Sequence, residues 1–420
     1  MPIRKDQLMK EVYLKAIRTN LMHLDMPRIS DMAEEVKKYM EHSPLKNSHF
    51  FYEIILNSNH RHSKKGFKKP VVGYFCNLIP EEIIYAAGCL PVRLCSQNDT
   101  YAKIGEEFFP ADMCPVIKSA CGAISTRHYE NIDFVIVPAA CDGKTKLAEM
   151  LVPFKEIYFL DLPKDSDYLK SAGIWTGEYA KFLGFIKNRY DRRITRKDLI
   201  DACTLTNRRT NIFREIYEFR ALHPGIINAF DYFTMTSTSF ISDAGFWSEH
   251  SEKLYDEAKK LSSHNHSDFK GKRILLSGSS IIFPNYKVLD VLDELGCDIG
   301  GDTQCSAYGR LYDPVEIDEE TEEGILRALS LKYVAASMCP CFLGIDKFID
   351  RILDLIETYK FDGVIYNNLR LCQVFEIQGS LLKHVLREKE IPFLFIKTDL
   401  GKEDTGQLKT RIEAFLEILK

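Results

Sequence analysis

Short apolar runs alternate with amphipathic stretches along most of the chain, and the alternation falls into two blocks. The first opens at Val71 with VVGYF. PEEIIYAAG then predicts a helix, with Pro80 at a first-turn position. PVRLC predicts a strand, CPVIKSACGAI a helix, DFVIVPAA a buried strand, KTKLAEML a short helix and EIYFLDLP a further strand. The second block opens at KRILLSGS, a strand running into a turn. YKVLDVLDELG predicts a helix, DIGGDT a short strand or loop, and EETEEGILRALSLKYVAAS and FIDRILDLIETYKFDG two more helices. GVIYNNL predicts a strand, FEIQGSLLKHVLREKEI a helix, PFLFIKTDL a strand and GQLKTRIEAFLEILK the final helix. Strand and helix in alternation imply parallel sheets with helices packed on their faces.

The stretches outside the blocks are helical in pattern. The first seventy residues predict amphipathic helix ending in the polar linker NHRHSKKGFKKP. His60 and His62 sit there, and a solvated loop is the simpler reading than a metal pair. Asp167 to His264 predicts long helices, with HPGI marking a turn. The expected class is therefore α/β: two Rossmann-like (flavodoxin-like) parallel-sheet domains with a helical N-terminal segment and a helical linker region. The limits are 1–70 for the helical segment, 71–170 for the first α/β domain, 171–270 for the linker region and 271–420 for the second α/β domain. The two blocks fit distant duplicates, without an exact repeat.

A formal net charge of -4 gives no electrostatic ground for nucleic acid or an anionic membrane as partner. The start, MPIRKDQLMKEVYLKAIRTN, lacks an apolar signal core, and no run of about 18 apolar residues occurs. The expectation is a soluble cytoplasmic protein. Twelve cysteines change that picture. Cytosolic thiols stay reduced, so many of them point to metal or catalysis before a disulfide framework.

Parallel α/β sheets carry their functional loops outside the carboxyl ends of the strands, which sorts the thiols. Cys76 follows VVGYF, Cys114 opens the helix CPV, Cys141 ends DFVIVPAA, Cys305 follows DIGGDT and Cys372 follows GVIYNNL. Cys339 and Cys341 flank Pro340 in SMCPCF, after a predicted helix. These seven are placed to face one crevice between the domains, and Cys95, closing PVRLC, is an eighth candidate. Cys89, Cys121, Cys203 and Cys297 fall inside helical patterns and read as small buried hydrophobes.

Thiolates hold zinc and iron–sulfur clusters. Structural zinc more often shows local C-x₂-C pairs, whereas these thiols are scattered from Cys76 to Cys372 and meet only through the fold. That suits a cluster held between domains. A cubane takes about four thiolates, so the surplus points to a second cluster or a larger bridged one. Proline holds the C-P-C unit extended, so its sulfurs diverge toward different irons; a coincidental pair in a loop is the plainer alternative.

CDGKTK contains Gly-Lys-Thr, but Pro138 occupies the position where a phosphate loop needs glycine. LLSGSSIIF lacks the dinucleotide spacing, and neither H-E-x-x-H nor G-x-S-x-G occurs. Any ATP chemistry thus belongs to another chain.

GYFCNLIPEEIIYAAGCLPVRL, CPVIKSACG, CDGKTKLAEML and GQLKTRIEAFLE, in that order, resemble the 2-hydroxyacyl-CoA dehydratase and benzoyl-CoA reductase superfamily, from about Val71 to the end. The resemblance implies two α/β domains around a [4Fe–4S] cluster held by three cysteines, which by motif position are Cys76, Cys114 and Cys372. It also implies electrons from a separate ATPase carrying its own [4Fe–4S] cluster. SMCPCF, with DTQCSAYGR upstream, resembles the double-cubane cluster proteins of that superfamily, which implies an [8Fe–9S] cluster in each chain of a homodimer. Its six ligands would be Cys76, Cys114, Cys305, Cys339, Cys341 and Cys372, with Cys141 in reserve. The implied function is an ATP-dependent, low-potential reductase of a small molecule. The alternatives are a [4Fe–4S] subunit of a 2-hydroxyacyl-CoA dehydratase, and a cluster or zinc carrier or electron-transfer module. Lys144, Lys146 and Arg310 lie near strand-end cysteines as sources of charge or protons, but surface or structural charge is the simpler reading, so no catalytic residue is assigned.

Overall fold

A computed structural model describes residues 2–3, 29–61, 69–126, 129–165, 167–264, 269–335 and 338–419. The first sheet contains β1 (Pro2–Ile3), β2 (Val71–Tyr74), β3 (Leu90–Arg93), β4 (Phe134–Pro138) and β5 (Ile157–Leu160), in the order β1-β5-β4-β2-β3. β2 to β5 run parallel, while β1 pairs antiparallel with β5 at the edge. The second sheet is wholly parallel: β6 (Arg273–Gly278), β7 (Asp298–Asp302), β8 (Gly363–Leu369) and β9 (Phe393–Thr398), in the order β7-β6-β8-β9. Within each parallel set the second strand of the chain lies outside the first, and the third and fourth follow on its other side. Each sheet therefore reverses its order beside its first strand, which is where open α/β sheets form their crevices.

The two-domain α/β class is thus observed, and the apolar runs became strands because both their faces are covered. Val72, Tyr74, Phe134 and Ile136 pack with Trp175, Tyr179 and Phe182 on one face. Val71, Val92, Val135 and Val137 pack with Ile117, Cys121, Leu147 and Leu151 on the other. Alternate residues of a strand point to opposite faces, so one run serves two cores.

Three short elements depart from the sequence reading. Residues 2–3 form an edge strand where a helix is expected, because two residues carry no period and pair only through tertiary contact. Asp99–Gly105 is helical, N-capped by the Asn98 side chain accepting from the Tyr101 N–H at 3.1 Å. Tyr308–Leu311 forms one further helical turn. His60 lies within the helix His49–Arg61 rather than in the linker; His62 lies outside the described residues.

The helices outside the blocks are shared between the two cores. Val36, Tyr39, Phe51 and Tyr52 from the helical start pack with Leu276 and Leu289 of the second block. The helix Tyr168–Arg189 covers the first sheet, and Glu322–Ala335 crosses from the second block to join it, with Ile325, Leu329 and Tyr333 beside Trp175 and Tyr179.

A buried polar network also ties the blocks together. Glu81 pairs with Arg209 and with Arg310, the latter at 3.2 Å. Glu82 accepts from Lys332 Nζ at 3.1 Å, Tyr333 Oη at 2.9 Å and Thr206 Oγ1 at 3.0 Å. Burial pushes the Glu82 carboxyl up, but Lys332 and Arg310 outweigh it and hold it at about 2. Because its folded value is depressed, its stabilisation is fully present above the unfolded value and is lost as pH falls through about 2. The depression corresponds to ~3 kcal/mol. Chemical denaturation of Glu82→Gln against the unaltered chain is expected to show that gap at pH 6, narrowing steadily from pH 4.5 downward. A gap independent of pH would contradict the assignment.

Candidate functional site

The carboxyl ends of both sheets open onto one cavity of about 460 Å³. Its wall contains Cys76, Cys95, Cys114, Cys141, Cys305, Cys339, Cys341 and Cys372. All eight thiols expected at strand ends, loops or helix starts facing the crevice are therefore brought together. Cys89, Cys121, Cys203 and Cys297 are not in the wall; Cys89 and Cys203 pack in one core of the first sheet and Cys121 in the other.

The local backbone places several of these sulfurs. Cys76 leaves β2 with φ 65, and Leu371, just before Cys372, has φ 66. Both lie in the left-handed region, which costs a non-glycine residue about 1–3 kcal/mol and clusters at functional sites. Cys114, Cys141 and Cys372 each occupy the N-cap of a helix, those spanning Pro115–Ser125, Asp142–Leu151 and Gln373–Glu388. Three helix N-termini, each with partial positive charge, thus meet a ring of ionisable sulfurs.

The thiols form hydrogen-bonded groups. Cys114 and Cys372 bond to each other. That bond, with help from the Ile117 and Val116 N–H groups and against burial, brings Cys114 down to about 7 and pushes Cys372 up. Cys141 bonds to Cys341, which bonds in turn to Cys339. The Cys341 bond and burial raise Cys141. The Cys141 bond lowers Cys341, but the bond to Cys339 and burial outweigh it and push Cys341 up. At the third corner, burial raises the Cys76 thiol. Burial opposes ionisation of Cys95 too, but Arg93 and Lys144 outweigh it and lower its thiol.

The candidate cations separate clearly. Lys144 lines the cavity in the first turn after Cys141. Burial works against its charge, but the facing sulfurs of Cys76, Cys141, Cys341 and Cys95 hold the ammonium charged. Lys146 reaches the rim, is exposed and pairs with Glu149 at 3.0 Å. Arg310 is buried in the Glu81 network and bonds Tyr333; only its neighbour Gly309 touches the cavity. Arg310 is therefore a structural charge, though not a surface one. Sequence reasoning missed Arg93. The available signal was its spacing two residues from Cys95 in the predicted strand PVRLC, which would put both on the same face.

Among the described residues, no three His, Cys, Asp or Glu side chains converge on a point as ligands of a single metal ion. No described histidine lines the cavity. Soft sulfur donors distributed around a space, rather than gathered at a point, fit a polynuclear iron–sulfur group.

An α/β fold whose two sheets present their strand-end cysteines to a shared crevice defines the class of protein. The profile of the 2-hydroxyglutaryl-CoA dehydratase, D-component family matches residues 76–419, and the chain belongs to that family. It is 28% identical over 362 residues to the putative dehydratase subunit YjiM of Escherichia coli (strain K12), covering 83% of this chain and 91% of that protein. It is 23% identical to the beta subunit of (R)-2-hydroxyglutaryl-CoA dehydratase from Acidaminococcus fermentans, covering 84% and 93%. Against a benzoyl-CoA reductase subunit from Thauera aromatica the identity is 21%, covering 81% and 88%. These relatives are subunits of dehydratases and of a reductase, which supports an enzymatic role. No described helix is long and apolar enough to cross a membrane.

Proposed function

We propose that this chain is a cytoplasmic, homodimeric iron–sulfur reductase that holds an [8Fe–9S] double-cubane cluster between its two sheets. The carrying observation is the number of thiols around one cavity, eight where a single cubane uses about four. Cys76, Cys114, Cys305, Cys339, Cys341 and Cys372 are the proposed ligands, with Cys141 and Cys95 beside them. A cluster bound there would supply low-potential electrons to a small molecule.

The chain's own residues prepare that space. The helix N-termini at Cys114, Cys141 and Cys372 offset the negative charge of thiolates. Lys144 adds a full positive charge inside the cavity. Met113, Phe348, Leu369 and Val374 supply apolar wall that keeps bulk water out. The Gly-Lys-Thr of CDGKTK lies in the helix that follows Cys141 and lacks the loop glycine a nucleotide needs. ATP hydrolysis is therefore assigned to a separate [4Fe–4S] protein that delivers the electrons.

Iron and acid-labile sulfide in anaerobically prepared protein test the reading. The expected result is about eight iron and nine sulfide per chain, as the [8Fe–9S] formula requires. The dehydratase subunits among the relatives favour a second reading, a [4Fe–4S] subunit of a 2-hydroxyacyl-CoA dehydratase. About four iron per chain would select it, and zinc without sulfide would defeat both.

A further inference from the structure

We infer that Arg93 balances the charge of the cluster site and sets its reduction potential, acting through the sulfurs of Cys305 and Cys95. The inference rests on the cluster proposed above. Four arginines are buried among the described residues: Arg93, Arg209, Arg220 and Arg310. Three of them face a carboxylate. Arg209 and Arg310 share Glu81, and Arg220 lies 3.9 Å from Asp298. Arg93 is 5% exposed, and no described carboxylate pairs with it.

Its partners are sulfur and one carbonyl. Nε donates to Cys95 Sγ at 3.2 Å, Nη2 to Cys305 Sγ at 3.3 Å and Nη1 to the Cys305 carbonyl at 2.8 Å. A buried guanidinium requires a compensating anion, and here the groups able to ionise beside it are thiols. The ring of Phe240 lies 4.9 Å from the guanidinium carbon, and the Phe240 carbonyl accepts from the Arg93 N–H at 2.9 Å, so both strand and side chain are fixed. The planar fork thus ties Cys95, after β3 of the first sheet, to Cys305, after β7 of the second. A lysine presents one point of charge and cannot reproduce that geometry.

Hydrogen bonds and positive charge at cluster sulfurs favour the reduced, more negative state. Arg93 is therefore a positioning and potential-setting residue, distinct from the ligands. The test uses the full chain, reconstituted anaerobically with iron and sulfide, as Arg93→Gln and Arg93→Lys. Iron content, circular dichroism and the midpoint potential from a spectroscopically monitored titration are read for each.

Arg93→Gln is expected to load iron like the unaltered chain, with its reduction equilibrium moved at least tenfold toward the oxidised form. That is about 59 mV lower for a one-electron step. Arg93→Lys, which keeps the charge and loses the fork, is expected to fall between the two. An unchanged potential in loaded Arg93→Gln overturns the inference. Iron lost from both variants while they stay folded also overturns it, since Arg93 would then be only a scaffold. Should Arg93→Gln fail to fold, loaded Arg93→Lys decides: a lowered potential supports the inference and an unaltered one ends it. An unaltered chain that takes up neither iron nor sulfide defeats the cluster itself, and this inference falls with it.

Discussion

A chain carrying both Cys339→Ser and Cys341→Ser is expected to emerge from anaerobic reconstitution with about half the iron of the unaltered protein, about four per chain instead of about eight. Serine keeps the size and polarity of cysteine but not the soft thiolate that holds iron. Both positions are only half-buried, so the fold should lose less than about 1 kcal/mol. The circular dichroism and the unfolding midpoint of the cluster-free protein should stay where they were. The single-cubane reading, with Cys76, Cys114 and Cys372 as its ligands, predicts no change in iron at all. Cys203→Ala is the matched control. Its thiol is 1% exposed in the core against Ala202 and Leu199, so it should cost stability and leave iron untouched. Full iron in the double serine variant would remove Cys339 and Cys341 from the ligand set and with them the case for the larger cluster.

That such a test can be framed reflects which features the linear chain carries. β2 and β4 are legible because a strand covered on both faces is an unbroken apolar run, and β6 and β8 because each carries a short apolar stretch, ILL and VIY, at its centre. Cys76, Cys95, Cys141, Cys305 and Cys372 are legible because a cysteine at a strand's carboxyl end faces the crevice whatever the packing details, whereas Cys114 opens a helix and Cys339 and Cys341 lie in the loop after one. Features set by close approach of distant backbone were not. The helix Asp99–Gly105 shows no strong apolar stripe because it meets Pro115–Ser125 through glycine. A Cβ on Gly105 would collide with the Lys118 carbonyl, and one on Gly122 with the Tyr101 carbonyl. Arg93 escaped notice because a charged residue in a strand is ordinarily read as facing water. Arg310 lies five residues from Cys305, yet the turn Tyr308–Leu311 carries it to Glu81, on the helix that follows Cys76. The docking of the helical start onto the second core is likewise a contact between distant segments, as in the 2.9 Å bond from Tyr39 Oη to Asp290.

The same distant contacts make Glu81 the position whose loss should be felt furthest from the cavity. Its carboxylate is 1% exposed and accepts from Tyr74 Oη while pairing with Arg209 and Arg310. Burial alone would raise it, but the two guanidinium groups hold it below its ordinary value. Glu81→Ala strands two buried cations, because Glu82 already serves Lys332. Removing one member of a buried ion network costs ~3–5 kcal/mol, a large share of the ~5–15 kcal/mol that holds a domain folded. Urea denaturation should show that loss, and Glu81→Gln, which keeps a hydrogen-bonding oxygen without the charge, should recover only part of it. Replacing the whole set by Glu81→Leu, Arg209→Met and Arg310→Met should restore most of the stability, since no stranded charge remains. Because the helix Glu81–Ala86 begins five residues after Cys76, Glu81→Ala should also load less iron, and the three-residue replacement should load more than Glu81→Ala. A loss below about 1 kcal/mol in Glu81→Ala would place the network among weak surface-like pairs, and the tie between the two blocks would then have to lie in their apolar contacts alone.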